Sequence, residues 1–286
     1  MQSKEIVEEQ NFMQVLHAIA TAYQDISVMK MKETRTFIDH ARLYVSMLKD
    51  IFESLRYSHP LLHQLNGNPD AKKPLAKILI TANTKFHGDI LRRIFEKFLD
   101  DKDEEGDVFL VGRIGKDLLA QYGQREEIKL IDISDINMEM AQLKPLIPYL
   151  FQYKKINLYY AKFKSVMTQD PEVSEITNIN KLLEEELEAE KEERKMKEAP
   201  PTYLFEPAGE KIVSFLNNNV VISLLRQAVL ETQLARFAAR LKAMDSLLSR
   251  IDENMDSLKK QQRKINHNLS NKKQLERISG MFFWNQ

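Results

Sequence analysis

The sequence predicts an α/β protein in which long N- and C-terminal helices pair as an antiparallel coiled coil, beside a small α/β (Rossmann-like) globular domain. Three observations lead to this prediction. All 8 glycines and 9 prolines except Gly280 lie between positions 59 and 209, so both ends of the 286-residue chain lack helix breakers. Both ends also carry heptad-spaced apolar residues, whereas the middle alternates strand-like and helix-like stretches. We therefore expect domains at 1–58, 74–208 and 209–286.

The N-terminal helix, 1–58, is predicted from apolar residues that recur at alternating spacings of three and four. Such a seam is typical of a coiled coil, and a phase break over residues 30–37 changes the local supercoil without ending the helix. The seam residues are Phe12, Val15, Ile19, Ala22, Ile26 and Met29 before the break, and Ile38, Ala41, Val45, Leu48, Phe52 and Leu55 after it. We expect this seam to face the C-terminal helix.

The middle of the chain has the pattern of a small layered domain with a mostly parallel sheet. The predicted strands are rich in Ile, Leu, Val and aromatic residues and lie at 77–80, 107–112, 128–133, 155–163 and 203–205. The predicted helices lie at 88–99, 116–122 and 137–152. Pro145 and Pro148 should kink or break the last of these helices. The charged stretch 181–198 is predicted to be a solvated helix or linker.

The C-terminal helix, 209–286, carries the longer seam, which is sustained for four heptads and favours a coiled coil. The seam residues are Leu230, Leu234, Phe237, Leu241, Met244, Leu248, Ile251, Met255 and Leu258, followed by Ile265 and Leu269. Residues 226–277 include 12 basic and 6 acidic side chains. A basic helix suits an acidic protein surface or nucleic acid, and the lack of interleaved aromatic residues argues against nucleic acid.

Composition narrows the classes of function. The chain has 42 basic and 42 acidic residues, whereas a general nucleic-acid binder usually has a basic excess. The absence of cysteine excludes disulfides, thiolate metal sites and cysteine nucleophiles. No apolar run reaches the roughly 18 residues of a membrane span, and the first residues are acidic where a signal peptide is basic. We expect an intracellular protein whose membrane contact passes through partners.

Three patterns are candidates for a metal site or a phosphate-binding site. His59 and His63 have metal-like spacing, but no third ligand lies nearby in the sequence. The stretch GRIGKDLLAQYG, from Gly112, lacks the spacing of a phosphate loop. The turn TANTKFHGD, from Thr81, contains only Gly88, whereas a phosphate cradle normally needs several glycines. We therefore predict no catalytic residues, no metal and no cofactor, and we interpret the turn as scaffold.

Two stretches near the C-terminus resemble the last helix of the γ subunit of F-type rotary ATP synthases. They are YLFEPAGEKIVSFL, from Tyr203, and ETQLARFAARLKAMDSLLSRIDEN, from Glu231. The matching residues are Phe205, Glu206 and Pro207 in the first stretch, and Arg240, Ala243 and Met244 in the second. In the N-terminal helix, the residues in register with the family are Ile19, Ala22, Ile26 and Lys30. The chain is thus identified as a divergent member of this family.

The divergence is concentrated at two places. The family has a glycine-rich turn after its first strand, and here only Gly88 is kept. The family's polar run near the C-terminus is replaced by KINHNLSNKKQLERISG, in which only Ile278 and Gly280 fit the pattern. The polar contacts between the shaft and its ring are therefore expected to differ from those of the family.

The resemblance implies a non-catalytic central-stalk subunit, which couples rotation of its two-helix shaft to ATP synthesis or hydrolysis. Its implied partners are the α and β subunits of the catalytic hexamer, a small ε-type subunit and, through the α/β domain, the membrane c-ring. Its implied location is the cytoplasmic face of the cell membrane, as a peripheral component of the complex. Phe282, Phe283 and Trp284 would form a bearing at the tip of the shaft.

Other interpretations stay open at this point. One is the shaft of a specialised F-type-like ATPase that is not used for ATP synthesis. Another is a coiled-coil adaptor or scaffold without a ring. An enzyme acting through the α/β domain is the least favoured, because no acid–base or nucleophile set converges there in the sequence.

Overall fold

The computed structural model describes residues 3–58, 73–101, 106–122, 128–135, 140–176 and 209–284. Its helices are α1 (Ser3–Ser58), α2 (Ile90–Asp100), α3 (Arg113–Gln121), α4 (Met140–Leu143), α5 (Ile147–Leu150) and α6 (Gly209–Trp284). Its strands are β1 (Lys73–Ile80), β2 (Asp107–Val111), β3 (Lys129–Ile131), β4 (Tyr153–Phe163) and β5 (Gln169–Ile176). The predictions at His59, His63, 181–198 and 203–207 lie outside the described residues.

The two long terminal helices are as predicted, with 56 residues in α1 and 76 in α6. The chain divides into two compact units. The helical unit comprises Met1–Ser27 and Arg240–Gln286, and the sheet unit comprises Val28–Ala239. Each helix continues from one unit into the other, which follows from the absence of glycine and proline around both boundaries.

In the helical unit, α1 and α6 run antiparallel, as predicted. Gln10 Nε2 donates to Gln262 Oε1 at 3.2 Å, and His17 Nε2 lies 3.8 Å from Asp252 Oδ1. The predicted seam of α6 is fully buried here only at Met244, Ile251 and Leu258 and half-buried at the positions between them. Burial of these apolar side chains stabilises the pairing of the two helices. The predicted continuation of the seam is wrong at Leu269, which is 48% exposed.

The predicted seam of α1 is wrong in its first half. Its residues Phe12, Val15, Ile19, Ile26 and Met29 are 42–60% exposed, and Ala22 is also exposed. The buried residues instead follow one heptad register without a phase break. They are Ile6, Ala20, Ser27, Thr34, Ala41 and Leu48 at one position and Ile38 and Val45 at the other.

The physical reason for this error is the distribution of size between the two helices. Large side chains of α6 fill the interface, so small residues such as Ala20 and Ser27 suffice on the buried face of α1. The bulky apolar residues of α1 that suggested a seam therefore remain on its outside. The second half of the predicted seam is confirmed from Ile38 to Leu48, because Ile38 and Ala41 pack with Leu230 and Leu234 of α6 and Val45 and Leu48 are also buried. The side chains of Phe52 and Leu55 lie outside the described residues.

The sheet unit contains a five-stranded sheet in the order β3-β2-β1-β4-β5. The first four strands are parallel, as the strand–helix alternation predicted, and β5 is antiparallel to β4. Strand β5 was not predicted, because QDPEVSEI contains a proline and several charges. Its charges pair across the hairpin, with Lys162 Nζ 2.8 Å from Glu172 Oε1 and Lys155 Nζ 3.2 Å from Glu175 Oε2. The predicted helix 137–152 is broken around Pro145 into α4 and α5, whereas Pro148 lies in the first turn of α5.

Helix α6 packs against both faces of the sheet. Leu225, Ala228 and Val229 join the core on one face, together with Ile78 and Phe109. Ala235 and Ala239 join the core on the other face, which contains the alternate strand residues Leu79 and Leu110 and helix α2. Since successive strand residues point to opposite faces, α6 must cross the edge of the sheet between these contacts. Residues 231–240 are accordingly all buried.

Two glycines of the sheet unit offer a matched test of this packing. Both have positive φ, +59° at Gly88 and +91° at Gly112, so an alanine is strained at either position. A Cβ at Gly88 would lie 3.8 Å from Ala239, whereas a Cβ at Gly112 would lie 2.7 Å from the Ala82 backbone nitrogen. We expect Gly88→Ala to lower the free energy of unfolding by about 1–2 kcal/mol and Gly112→Ala to lower it more. Urea unfolding measures both, and an equal loss would contradict the close approach at Gly112.

Candidate functional site

Folds of this class typically bind ligands in one crevice of the sheet. In the described residues, this crevice is filled by the chain itself. In an open α/β sheet, ligands bind beyond the carboxyl ends of the strands at the point where the strand order reverses. Here that point lies between β1 and β4. Helix α6 occupies it, because Thr232 Oγ1 accepts a hydrogen bond from the Ala161 amide of β4 at 3.2 Å. Arg236 Nη1 donates to the Thr81 carbonyl, directly after β1, at 3.1 Å.

The turn after β1 binds an anion that belongs to the chain. The Asp135 carboxylate accepts from the Asn83 amide at 2.9 and 3.1 Å and from the Thr84 amide at 2.6 Å. Consecutive amides that converge on one anion are the arrangement by which phosphate loops bind phosphate. The amides that a nucleotide would need at this turn are therefore already bonded to Asp135.

Helix α6 supplies the counter-charge. Arg236 Nη1 lies 2.5 Å from Asp135 Oδ1, and Gln233 Nε2 donates to the Asp135 carbonyl at 2.9 Å. The side chains of Arg236 and Asp135 are only 6% and 8% exposed. We call this group the junction and define it by residues Thr81, Asn83, Thr84, Asp135, Gln233 and Arg236. It joins the turn after β1, the segment after β3 and α6 in one polar network.

A second, exposed ion pair borders the junction. Asn83 Nδ2 donates to Asp132 Oδ1 at 2.6 Å, and Arg113 Nη2 lies 2.6 Å from Asp132 Oδ2. The Arg113 amide also donates to Asn83 Oδ1 at 2.9 Å. The Asn83 side chain is thus held from both sides, while the Asn83 backbone amide donates to Asp135. Because Arg113 and Asp132 are at least half exposed, water screens their attraction.

The electrostatics of the junction favour an ionised Asp135. Burial by itself would raise the pKa of this carboxyl, but the charge of Arg236 and the hydrogen bond from the Asn83 amide outweigh it and hold the pKa below its usual value. The pKa of Asp132 is also lowered, mainly by its hydrogen bond with Arg113. The junction is therefore a charged, hydrogen-bonded pair under ordinary conditions.

The outside of α1 forms the second candidate surface. We define the outer stripe as Phe12, Val15, Ile19, Ala22, Ile26 and Met29, which recur every three or four residues. Residues at this spacing lie along one side of a helix. A row of large exposed apolar side chains on a soluble helix is typical of a protein-interaction surface.

The far end of α6 is basic and also exposes the apolar side chains of Leu269 and Leu275. Residues 266–279 are all exposed, and so are Lys259, Lys260, Arg263 and Lys264 before them. Ile278 is 53% exposed, and Gly280 lies within α6. The helix reaches Trp284, but the side chains of Phe282, Phe283 and Trp284 lie outside the description. This segment presents positive charge to whatever surrounds it.

The other predicted site residues are distributed between core and surface. Arg240 is buried, with its guanidinium 5.6 Å from the centre of the Tyr23 ring, and Met244 is also buried. Ala243 is half-buried, and so is Lys30, whose Nζ lies 2.7 Å from Glu33 Oε2. Gly88 packs at 3.8 Å from Ala239 of α6. The sequence interpretation missed Asp135, Gln233 and Arg236, because a buried ion pair between distant segments leaves no local spacing pattern.

Across the described ranges, no group of three His, Asp or Glu residues is placed to hold a metal ion. In the same part of the chain, no helix is both long and apolar enough to cross a membrane.

Comparison with known proteins gives consistent matches. The chain matches the family model described as ATP synthase over residues 2–267. It is 26% identical to the ATP synthase gamma chain of Halothermothrix orenii, over 88% of this chain and 86% of that relative. It is 24% identical to the ATP synthase gamma chain of Pelotomaculum thermopropionicum, with 84% of each chain covered.

Solved structures share the fold at lower identity. A chain of the Euglena gracilis mitochondrial ATP synthase superposes with a TM-score of 0.63 at 15% identity, over 98% of this chain and 93% of its own length. A chain of the Tetrahymena thermophila central stalk and c-ring superposes with a TM-score of 0.58 at 16% identity. That match covers 80% of this chain and 99% of the other.

The junction predicts a specific dependence of stability on pH. A carboxyl whose pKa is lowered by folding stabilises the folded state above its unfolded pKa, about 3.9, and loses this contribution as the pH falls through the folded pKa. We expect Asp135→Asn to lower the free energy of unfolding by about 3–5 kcal/mol at pH 7, because Arg236 loses its buried partner. The difference from wild type should shrink as the pH falls below about 4.

The matched control is Asp132→Asn, which neutralises the exposed acid at the same edge of the sheet. Its expected loss is at most about 1 kcal/mol at pH 7. Chemical unfolding of the three proteins from pH 7 to pH 3 measures both effects. A loss for Asp132→Asn that equals the loss for Asp135→Asn would contradict the dominant role of the buried pair.

Proposed function

Because the chain belongs to the ATP synthase γ family, we propose that it is the non-catalytic central-stalk γ subunit of an F-type rotary ATPase. The observation that carries this proposal is the match of the family model over residues 2–267 of this chain. The chain also contains a unit of two paired helices and a unit built on an α/β sheet. The subunit couples rotation of its shaft to ATP synthesis or hydrolysis at the catalytic ring.

The exposed outer stripe supports a shaft that works inside a ring of partners. A helix pair that functioned alone would place its large apolar residues in the seam, since exposure forfeits their burial energy. Here α1 instead exposes Phe12, Val15 and Met29 to 57–60% and keeps Ala20 and Ser27 inside. The α and β subunits of the catalytic hexamer are the proposed partners of this surface.

Rotation is coupled to catalysis because different sides of the shaft make different contacts with the ring subunits. One side of the helix pair carries the apolar outer stripe, whereas the polar Gln14 and Asp25 of α1 are exposed away from that stripe, so the shaft is not the same in all directions around its axis. A ring subunit that meets the stripe and one that meets a charged side are stabilised in different conformations. Turning the shaft then shifts the population of nucleotide states at each catalytic subunit in turn.

The catalytic chemistry belongs to the ring rather than to this chain. At the crevice where an α/β sheet would bind a nucleotide, the amides of Asn83 and Thr84 are bonded to Asp135, and α6 covers the strand ends. This arrangement supports a mechanical role for the α/β domain.

The α/β domain is the proposed contact for the remaining partners. The similar structures were solved as parts of rotors and of assemblies that include a c-ring. By analogy, this domain joins a small ε-type subunit and the membrane c-ring, so the chain is peripheral to the membrane. The side chains of Phe282, Phe283 and Trp284 are proposed to turn within an apolar bearing of the ring.

A first prediction tests the outer stripe. Ile19→Gln and Ile26→Gln should change the free energy of unfolding by less than about 0.5 kcal/mol each, because both side chains are exposed. Each should weaken assembly with the α and β subunits by roughly tenfold, since loss of a buried Ile contact costs at least about 1.4 kcal/mol. Gel filtration and titration of labelled shaft into the ring measure these changes.

The control is Val28→Gln, an equally exposed apolar residue on the other flank of α1. It should leave assembly within about twofold of wild type, because it lies off the stripe. An equal weakening of assembly by Val28→Gln would contradict the assignment of the outer stripe as the contact surface. Failure of the wild-type chain to form a complex of about one shaft per six ring subunits would sink the proposed function.

A second prediction tests the tip. Trp284 is the only tryptophan, so its emission reports on one position. We expect a blue shift when the chain assembles with the ring, because an indole in an apolar bearing leaves water. An emission spectrum that stays solvent-like in the purified complex would contradict this placement.

A further inference from the structure

The junction has the chemistry of an anion-binding site whose ligand is supplied by the protein. Two consecutive amides, from Asn83 and Thr84, and one guanidinium, from Arg236, converge on the Asp135 carboxylate. The two amides follow β1 at the reversal of strand order, where phosphate binds in nucleotide-binding members of this fold class, and the guanidinium reaches the same place from α6. Asp135 reaches them from the segment after β3, about fifty residues away along the chain.

The site has more donor capacity than Asp135 uses. Arg236 Nε is buried and has no hydrogen-bond partner among the described residues. The carboxylate has two oxygens, which are taken up by the two amides and by Nη1. A buried donor without an acceptor is costly, so this spare donor marks a place where further oxygen would be bound.

The partners of Asp135 come from separate parts of the sheet unit. The amides belong to the turn after β1, and Arg236 and Gln233 belong to α6. Arg236 also binds the Thr81 carbonyl, so the same guanidinium fixes α6 to the end of β1. Removal of the carboxylate would leave a buried positive charge between the turn and the helix, joined there by the remaining hydrogen bonds to the Thr81 and Asp135 carbonyls.

We propose that Asp135 is a built-in anion in a phosphate-type cradle, and that it positions α6 across the carboxyl edge of the sheet. The cradle accepts a small oxyanion such as formate when the Asp135 carboxylate is removed. In the rotor, which rests on the proposed function, this bond makes the α/β domain turn together with the shaft helix.

The primary experiment is chemical rescue of the isolated chain. Asp135→Ala removes one carboxylate and leaves a space of the size of formate. We expect its thermal midpoint to fall by on the order of 10 °C and to recover by at least half in sodium formate. Sodium chloride at equal ionic strength should give little recovery, because screening alone does not supply the bidentate oxygens.

Matched variants separate specific binding from general stabilisation. Asp132→Ala removes an exposed carboxylate beside Arg113, and formate should raise its midpoint no more than it raises that of wild type. The double variant Asp135→Ala with Arg236→Gln lacks the counter-charge and should also lose the rescue. Equal formate effects on Asp135→Ala and Asp132→Ala, or full rescue of the double variant, would overturn the cradle.

The isosteric variant Asp135→Asn guards against simple misfolding. Its amide oxygen can still accept from Asn83 and Thr84, but its neutral side chain fills the site and excludes formate. We therefore expect a folded protein whose midpoint is lowered and does not respond to formate. A formate response equal to that of Asp135→Ala would place the anion elsewhere and would overturn the assignment.

The positioning role is tested in the assembled complex. The chain has no cysteine, so Lys116→Cys on the exposed side of α3 gives one attachment point for a bead. With the ring immobilised, Asp135→Ala should widen the angular spread of the bead between catalytic steps, and formate should narrow it. The rate of ATP hydrolysis at saturating ATP should change by less than twofold.

The formate rescue of the isolated chain and the bead measurement in the complex test different parts of the proposal. An angular spread that stays unchanged in Asp135→Ala would overturn the positioning role. If the wild-type chain formed no complex with a ring, the proposed function would fail, and the formate rescue would still decide the cradle. A rescue in the isolated chain together with a formate-sensitive angular spread is the expected result.

Discussion

The structure depends on how the segment 231–240 of α6 is buried on every side. A helix buried all round must find partners for each polar side chain it carries, because an unpaired buried charge costs several kcal/mol (roughly 3–5). In the sheet unit these partners come from different elements. They are Arg42 of α1 for Glu231, the Ala161 amide of β4 for Thr232, the Asp135 carbonyl for Gln233 and the Asp135 carboxylate for Arg236. These bonds constrain the helix both along its axis and in rotation, although Glu231 Oε2 and Arg236 Nε have no hydrogen-bond partner among the described residues.

The same segment fills the place where a sheet of this strand order would bind a ligand. The parallel strands, the turn after β1 and the reversal of strand order reproduce the geometry in which doubly wound sheets bind nucleotides. Helix α6 crosses this place, and Asp135 takes the amides that a phosphate would take. The donors that would bind a ligand there instead connect the sheet to α6. A firm connection between the sheet and a continuous helix is what a rotor requires.

The helix pair shows a complementary division of labour. Helix α6 supplies the large buried side chains, so α1 can carry small and polar residues at the interface and large apolar residues outside. This arrangement sacrifices burial energy in the isolated chain and places an apolar stripe beside a basic helix end. A shaft whose sides differ in this way stabilises different conformations of the subunits around it, which is the physical basis of the coupling proposed for the γ subunit.

Local spacing and the positions of glycine and proline were enough to predict the two breaker-free helices, their antiparallel pairing, the seam of α6 as far as Leu258 and the parallel strands. The sequence also carries the family resemblance in Phe205, Arg240 and their neighbours. Which side of α1 is buried could not be predicted in this way, since it depends on the size of the side chains that α6 presents. The tertiary structure alone revealed strand β5, whose charges are balanced across a hairpin. It alone brought Asp135 to Arg236, because two residues about a hundred positions apart share no periodicity that a sequence could display.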